Sequence, residues 1–550
     1  MQQVYDPLGN QALSALVAAV PIIIFLLGLT VLKLTGLKSA IISLVAAVAI
    51  GVLLFKLPFT ASLGAIGLGF LGGLWPIGWI VLMAVWLYRV TVRAGNFDII
   101  RSSVSSISAD QRIQVLLIAF CFGGFLEGAA GFGIPIAICA ALLVNLGFDA
   151  VKACVVALVA NAAAGAYGAI GIPSIVAVQQ GGVDKAEFAL MMVLSAQVIA
   201  IFIPLLLVAI LDGVRGIKET WWVALLIGFV VSAAQAIVLV ALGPDLVDII
   251  PPLLGLVVLA LIMRKWQPKH IYREPNAPTL AELESQTVRH TGSQIAKAWS
   301  PFLILSAMIL LWSVPFIKGL FAAADPKTGK EAGLLGFTTL NFKIPGLHNV
   351  MEKVAPIAPQ TTPMPATWSW SIIGASGTAI LIAVLITIAI SNISWGAAFE
   401  EFKGAIKQLW MPILMICLVM GVANVMNYAG MSSSLGLALA TAGSIFPFFS
   451  PIIGWIGVFV TGSVVNNNTL FAGLQSVTAQ QIGANPALLV ASNTTGGVMA
   501  KIVSPQSIAI AAAAVEKGGQ ESQITSAAIK YSIALLVISM VWIFVLSLFV

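Results

Sequence analysis

The chain has 550 residues, of which 60% are hydrophobic and only 9% charged, against roughly 25% charged in an ordinary soluble domain. No water-soluble core holds such an excess, so the sequence predicts an all-α integral membrane protein; at ~20 residues per spanning helix there is room for about 12 transmembrane helices. Long apolar runs exclude an outer-membrane barrel, whose strands alternate over ~10 residues. The net charge of +6 needs no nucleic-acid partner, because basic cytoplasmic loops produce it.

Apolar segments fall near 12–32, 39–55, 66–88, 114–146, 152–178, 188–211, 221–243 and 249–263, then near 300–320, 370–391, 409–428, 446–478, 487–514 and 529–549. The segment at 13–32 is preceded by no Lys or Arg and reads as a retained helix rather than a signal peptide, which wants a basic start. Arg89, Arg93, Arg101 and Arg112 mark 89–113 as cytoplasmic. Arg264, Lys265, Lys269, Arg273, Arg289 and Lys297 do the same for the linker 264–299. The loops 33–38, 212–220, 391–408 and 515–530 then also fall inside. Both termini come out external, as does a Pro-, Gly- and Thr-rich loop at 321–369, expected to be poorly ordered in places. The whole chain reads as a single transporter domain, with halves 1–263 and 300–550 joined by the linker.

Parity requires that one of the three segments between the inner loops 89–113 and 212–220 enter and leave on the same face. The segment 114–146 is the candidate, because Gly123-Gly124-Phe125-Leu126-Glu127-Gly128-Ala129-Ala130-Gly131-Phe132-Gly133 breaks it. Each arm of about a dozen residues spans roughly 20 Å of helix, short of a ~30 Å hydrocarbon core. A re-entrant hairpin follows.

An internal repeat supports a second hairpin. Leu74-Trp75 recurs as Leu409-Trp410, Ala94-Gly95 as Ala429-Gly430, Gly128 as Gly462, and Asn161…Gly165…Ile170…Pro173 as Asn493…Gly497…Ile502…Pro505. Repeat 1 covers about 66–211 and repeat 2 about 409–549. The segment from Trp75 ends at the cytoplasmic Arg89, whereas that from Trp410 starts there, so the repeats are inverted. Inverted repeats with discontinuous helices characterise secondary transporters that bind substrate near the midplane.

Each half then supplies a hairpin tip and an interrupted span. The tips are Glu127–Gly133, with Gly128 and Gly131, and Thr461–Thr469, with Ser463 and Asn466-Asn467-Asn468. The interrupted spans are Asn161–Gly168, with Tyr167, closed by Pro173, and Asn493-Thr494-Thr495-Gly496-Gly497, closed by Pro505. Half-helix N-termini hold carboxylates and unwound carbonyls hold cations. The competing reading is that these glycines merely permit close helix packing. Glu127 lies alone in an uncharged stretch, and burial disfavours its charged form, which suits a proton carrier; a structural acid capping amides is the alternative. Lys501 is the only basic residue placed within the membrane. At an insertion cost of ~2.5–3.5 kcal/mol it needs a partner, either a substrate carboxylate, the preferred reading, or Glu127. Gln506 and Ser507 follow Pro505 and line the same cavity on this reading.

The four cysteines have no ligand spacing, and His270, His290 and His348 fall in loops, so neither a metal nor a cofactor is expected. No phosphate-binding loop occurs. Nucleophile–base sets are missing, so the chain reads as no enzyme. A channel is the less favoured transport class, since channel pores form on an axis between subunits, whereas the polar groups here pair within one chain.

Several motifs resemble signatures of the bacterial L-lactate permease family: Phe125–Gly133, Asn493–Gly497, Ser504–Ala511, Tyr5-Asp6-Pro7, Phe97–Ser103 and the stretch from Asp212 to Trp221. The likeness runs from near the N-terminus to the C-terminus. It implies an inner-membrane permease that imports L-lactate, D-lactate and glycolate with a proton, in the company of inverted-repeat ion transporters. Glu127 and Lys501 stand where that family also has Glu and Lys. Two places depart from the pattern. The acidic position of the second tip is Val464 here, and Asn161-Ala162-Ala163-Ala164-Gly165 replaces the commoner Asn-Thr-Ala-Pro-Val. The expected partners are therefore a small monocarboxylate, a proton and membrane lipid, with a homodimer by analogy. Sodium held by tip carbonyls, Asn466–Asn468 and Thr494 is the alternative coupling ion.

Overall fold

Runs of Leu, Ile, Val and Ala without charge can satisfy their backbone in lipid only as helices, and helices dominate the computed structural model, which describes residues 1–275, 277, 290–324, 331–391 and 393–550. Among these residues, 12 continuous helical stretches are long and apolar enough to cross a membrane. Residues 276 and 278–289 of the linker 264–299, including Arg289, and residues 325–330 of the external loop lie outside the described residues. Leu16, Val45, Phe229, Ile237 and Val541 are exposed on helix faces suited to lipid. By contrast, the apolar windows of Gln111–Ala129 and Ala150–Gly181 are 100% buried. These two stretches carry the first candidate tip and the first interruption, so their open backbone is wrapped in protein.

Four inner loops of the sequence reading are largely helical instead, with Asn96–Ser105 inside 89–113 and the start of Glu521–Leu546 inside 515–530. Ile203–Leu242 runs through 212–220 with a kink at Gly213 (φ 57°, ψ −141°), a conformation open to glycine. Trp395–Ala429 has 35 residues, roughly 50 Å at 1.5 Å each, and so carries the polar stretch 395–408 as a helical extension of an apolar span. The repeated Ala-Gly pairs end comparable helices: Gly95 (φ 74°) follows Trp79–Arg93 and Gly430 (φ 90°) follows Trp395–Ala429.

Where it is described, the external loop carries two short strand pairs. Thr339–Lys343 pairs antiparallel with Thr367–Ser371, and Glu352–Lys353 pairs with Thr362–Pro363. Ile344, Leu347, Met351 and Met364 are buried against the helices around Ala61–Ala65 and Leu418–Ala429. The N-terminus is tied to this layer, with Met1 N donating to Val350 O at 2.6 Å and Gln3 N to Glu352 O at 2.9 Å.

Four helices are joined as two side-by-side pairs: Gln111–Ala129 with Ile134–Asn145, and Phe446–Thr461 with Val464–Ile482. Each pair precedes a helix broken in the middle, Ala150–Ala164 then Ile172–Gly181, and Pro486–Lys501 then Pro505–Ala514. At the base of the first pair lies fully buried Arg112. It contacts Asp110 (2.8 Å), Asp212 (3.0 Å), Glu219 (2.8 Å) and the His270 carbonyl (2.7 Å). Glu274 binds Lys152 at 2.6 Å and accepts from Asp149 N at 2.7 Å. The linker residues 270–274 thus strap the first pair to the kinked helix.

Removing one partner of a buried ion cluster strands the others and costs about 3–5 kcal/mol. Arg112→Met is expected to lower the unfolding midpoint of the detergent-solubilised protein accordingly; an unchanged midpoint would show that the cluster is not structural.

A candidate anion site between broken helices

The four breaks face one another. In the first pair the chain leaves the helix at Ala130 and passes through Gly131 (φ 57°), Phe132 (φ 52°) and Gly133 (φ 84°) before Ile134 starts the next helix. In the first interrupted helix the break covers Gly165–Gly171, with Gly168, Ile170 and Gly171 at positive φ. Three left-handed residues in four positions demand glycine and strain the others. The second pair turns at Gly462 (φ 67°) and Ser463, and the second interrupted helix breaks at 502–504.

A cavity of about 100 Å³ lies among them, room for several waters or one small anion. Each half-helix that starts at a break sends its first turn to the wall: Gly133 ahead of Ile134, Ile172 and Pro173, Ser463 to Val465, and Gln506 with Ser507. At the two glycine-capped starts the first amides donate to backbone carbonyls, Ile134 N to Gly131 O at 3.0 Å and Ile172 N to Ala169 O, and Pro135 and Pro173 have no N–H, whereas Ser463 and Ser504 cap the other two by accepting from Asn466 N and Ser507 N. Four positive helix ends around one space favour an anion.

Glu127 and Lys501 are the charged residues of the wall. Lys501 Nζ donates to Glu127 Oε1 at 2.7 Å, and Asn161 Nδ2 donates to Oε2 at 2.8 Å. The side chains of Lys501 and Glu127 are 11% and 3% exposed. In this structure the partner of Lys501 is therefore Glu127, the less favoured of the two readings. Val464 lines the cavity with an apolar side chain.

Other predicted residues serve the walls from behind. Gly128 and Gly131 do not line the cavity; a side chain on Gly128 would meet the Asp248 carbonyl at 2.5 Å, and one on Gly131 would meet Ala169 at 2.9 Å. Tyr167 is fully buried with its hydroxyl on Gln197. The stretch Asn493–Gly497 is not a break: it is helical within Pro486–Lys501, and Gly496 and Gly497 admit the neighbouring helix Phe446–Thr461. Close packing is the role of these glycines, as in other membrane helices. Asn468 Nδ2 donates to the Pro173 carbonyl at 3.0 Å, and its oxygen accepts from Asn493 (3.0 Å) and Thr494 (3.1 Å). Asn467 donates to the Asn493 carbonyl at 3.3 Å, and Thr495 to Ser195 at 3.3 Å. Asn467 and Asn468 are a buried tie between the second pair and both interrupted helices, while the Asn466 side-chain oxygen is buried without a partner.

One acid escaped the sequence reading. Asp248 is 2% exposed, packs on Gly128 beside Glu127, and accepts from Gln235 Nε2 at 2.8 Å through Oδ1.

The sequence profile described as L-lactate permease matches residues 14–550. An L-lactate permease of Halalkalibacterium halodurans is 46% identical over 99% of both chains. An L-lactate permease of Escherichia coli K12 is 44% identical over 97% of this chain and 95% of its own, and the glycolate permease GlcA of the same organism is 44% identical over 96% and 95%. Among solved structures, the YdaH transporter of Alcanivorax borkumensis aligns over 93% of this chain and 88% of its own, at 13% identity and a TM-score of 0.42.

Asn468→Ala strands the Pro173 carbonyl and the Asn493 amide and is expected to destabilise by about 1–3 kcal/mol. Gln506→Ala, at an exposed wall position, should stay within about 0.5 kcal/mol. Unfolding midpoints of the two variants test the division; equal midpoints would contradict it.

Proposed function

This chain belongs to the L-lactate permease family, and on that premise we propose that it imports L-lactate and related 2-hydroxymonocarboxylates, D-lactate and glycolate among them, together with a proton across the bacterial inner membrane. The observation that carries the reading is the cavity ringed by four helix starts and holding one lysine already paired to one glutamate. An entering carboxylate finds the positive ends of the helix dipoles and the Lys501 ammonium. Ser463, Ser507 and Gln506 offer partners for its carboxylate and 2-hydroxyl.

Coupling follows from charge bookkeeping. A buried carboxylate stays ionised only while paired. When the substrate carboxylate takes Lys501, Glu127 keeps only the Asn161 amide and must acquire a proton. One anion thus brings one proton, and the net charge of the site is unchanged. Asn161 holds Glu127 in place through the exchange. We read the two side-by-side helix pairs as re-entrant hairpins of two inverted repeats, with both termini and the strand-bearing loop outside, and access alternating as one group of helices moves against the other.

One observation favours sodium instead: the side-chain oxygens of Asn466, Asn467 and Asn493 are buried without hydrogen-bond partners in the structure, and neutral oxygens are cation ligands.

Labelled L-lactate uptake into proteoliposomes under an inward acid gradient, with and without Na⁺, tests both readings, with glycolate, D-lactate, pyruvate and succinate as competitors. The expectation is uptake independent of Na⁺, competed by glycolate and D-lactate, and reduced about tenfold or more by Glu127→Gln, which removes the counter-charge of buried Lys501. A requirement for Na⁺, or an intact proton drive in the variant, would overturn the assignment of Glu127.

A further inference from the structure

Asp248 is a buried carboxyl that substrate binding does not use. It sits between the short turn Pro244–Leu246 and the helix Ile250–Lys265. Its Oδ1 accepts from Gln235 at 2.8 Å, while Oδ2 is buried with no partner in the structure. The groups that face it are Gln235 from the kinked helix, Tyr167 from the first interruption, Glu127 from the first pair and Lys501 from the second interrupted helix. The one cation among them is held by Glu127. An ionised Asp248 would therefore be a second buried carboxylate beside Glu127 with a bare oxygen and no counter-charge, an arrangement that neutralisation relieves. One residue-turn earlier in the same segment, half-buried Asp245 lines a second, wider cavity of about 530 Å³ together with Lys185 and Lys318.

We propose that Asp248 is a second proton-binding site of the carrier, which hands its proton to Glu127 when substrate takes Lys501 and is refilled from water in the wide cavity beside Asp245. The inference rests on the proton-coupled reading of the Glu127–Lys501 site. Without substrate, Lys501 and Glu127 are charged and Asp248 is neutral. On binding, the proton leaves the Asp248 carboxyl for a Glu127 oxygen, and a hydronium from the wide cavity restores Asp248. The loaded site then holds the anion, Lys501 as ammonium, and two neutral carboxyls. Net uptake is one proton per anion, delivered along a path separate from the substrate.

Asp248→Asn keeps the Gln235 contact and the volume but carries no labile proton. Two transport modes separate a relay from a prop. Exchange of labelled for unlabelled lactate at equal pH unloads and reloads at one face and moves no net proton across the membrane; it is expected to fall less than net uptake driven by an acid gradient, which falls about tenfold. Infrared spectra of the substrate-free protein supply a readout independent of transport: a protonated-carboxyl carbonyl band at neutral pH, missing in Asp248→Asn. Equal loss of both modes, full retention of net uptake, or a spectrum without that band in wild type would each overturn the proposal. Wild-type protein that takes up no lactate would instead defeat the underlying functional reading.

Discussion

The ion pair between Lys501 and Glu127 joins residues far apart in the chain, and both ends hang on helix geometry that exists only because the helices around them are broken. Lys501 is the last residue before the second interruption, and Glu127 lies in the last helical turn before the break at Ala130–Gly133. Neither charge would be tolerated alone at that depth. Their pairing brings the two halves of the molecule together at the cavity, with Asn161 from the first interrupted helix as the third member. The breaks, the left-handed glycines and the four helix starts surround this pair at the wall of the cavity.

The molecule holds another buried charge cluster, and the contrast is instructive. Arg112 is surrounded by three carboxylates and a carbonyl, all in contact, and it ties the first helix pair to the kinked helix and the linker. Nothing in that cluster is left over. Around Glu127 the partners number just enough to hold one charge, with a bare oxygen on Asp248 nearby. A cluster with surplus partners resists change, whereas one with minimal partners switches when a competing charge arrives.

Glu127 and Lys501 were legible in the sequence because a lone charge in an apolar run is costly and so conspicuous. Asp248 was not, since Gly243-Pro244-Asp245-Leu246-Val247-Asp248 looks like the polar end of a loop and only tertiary packing buries it. The sequence reading places the second interruption about two turns early, at Asn493–Gly497, because Gly496 and Gly497 signal both flexibility and close packing, and no local pattern tells the two apart. The Asn run hid its role for a related reason, as its partners Pro173, Asn493 and Thr494 lie on other elements. In the external loop, the alternation Thr367-Trp368-Ser369-Trp370-Ser371 was the strand signal that its Pro and Gly content masked. Charged helical extensions at 212–220 and 395–408 passed for loops, because charge marks the membrane boundary but does not end a helix.

Competition between substrate and Glu127 for one ammonium makes a thermodynamic claim that does not depend on turnover. Adding L-lactate to the purified protein in weakly buffered detergent should draw one proton from solution per molecule bound, read with a pH indicator beside calorimetric binding, and Glu127→Gln should bind without that proton. Lactate binding to wild-type protein with no proton taken up would contradict the account.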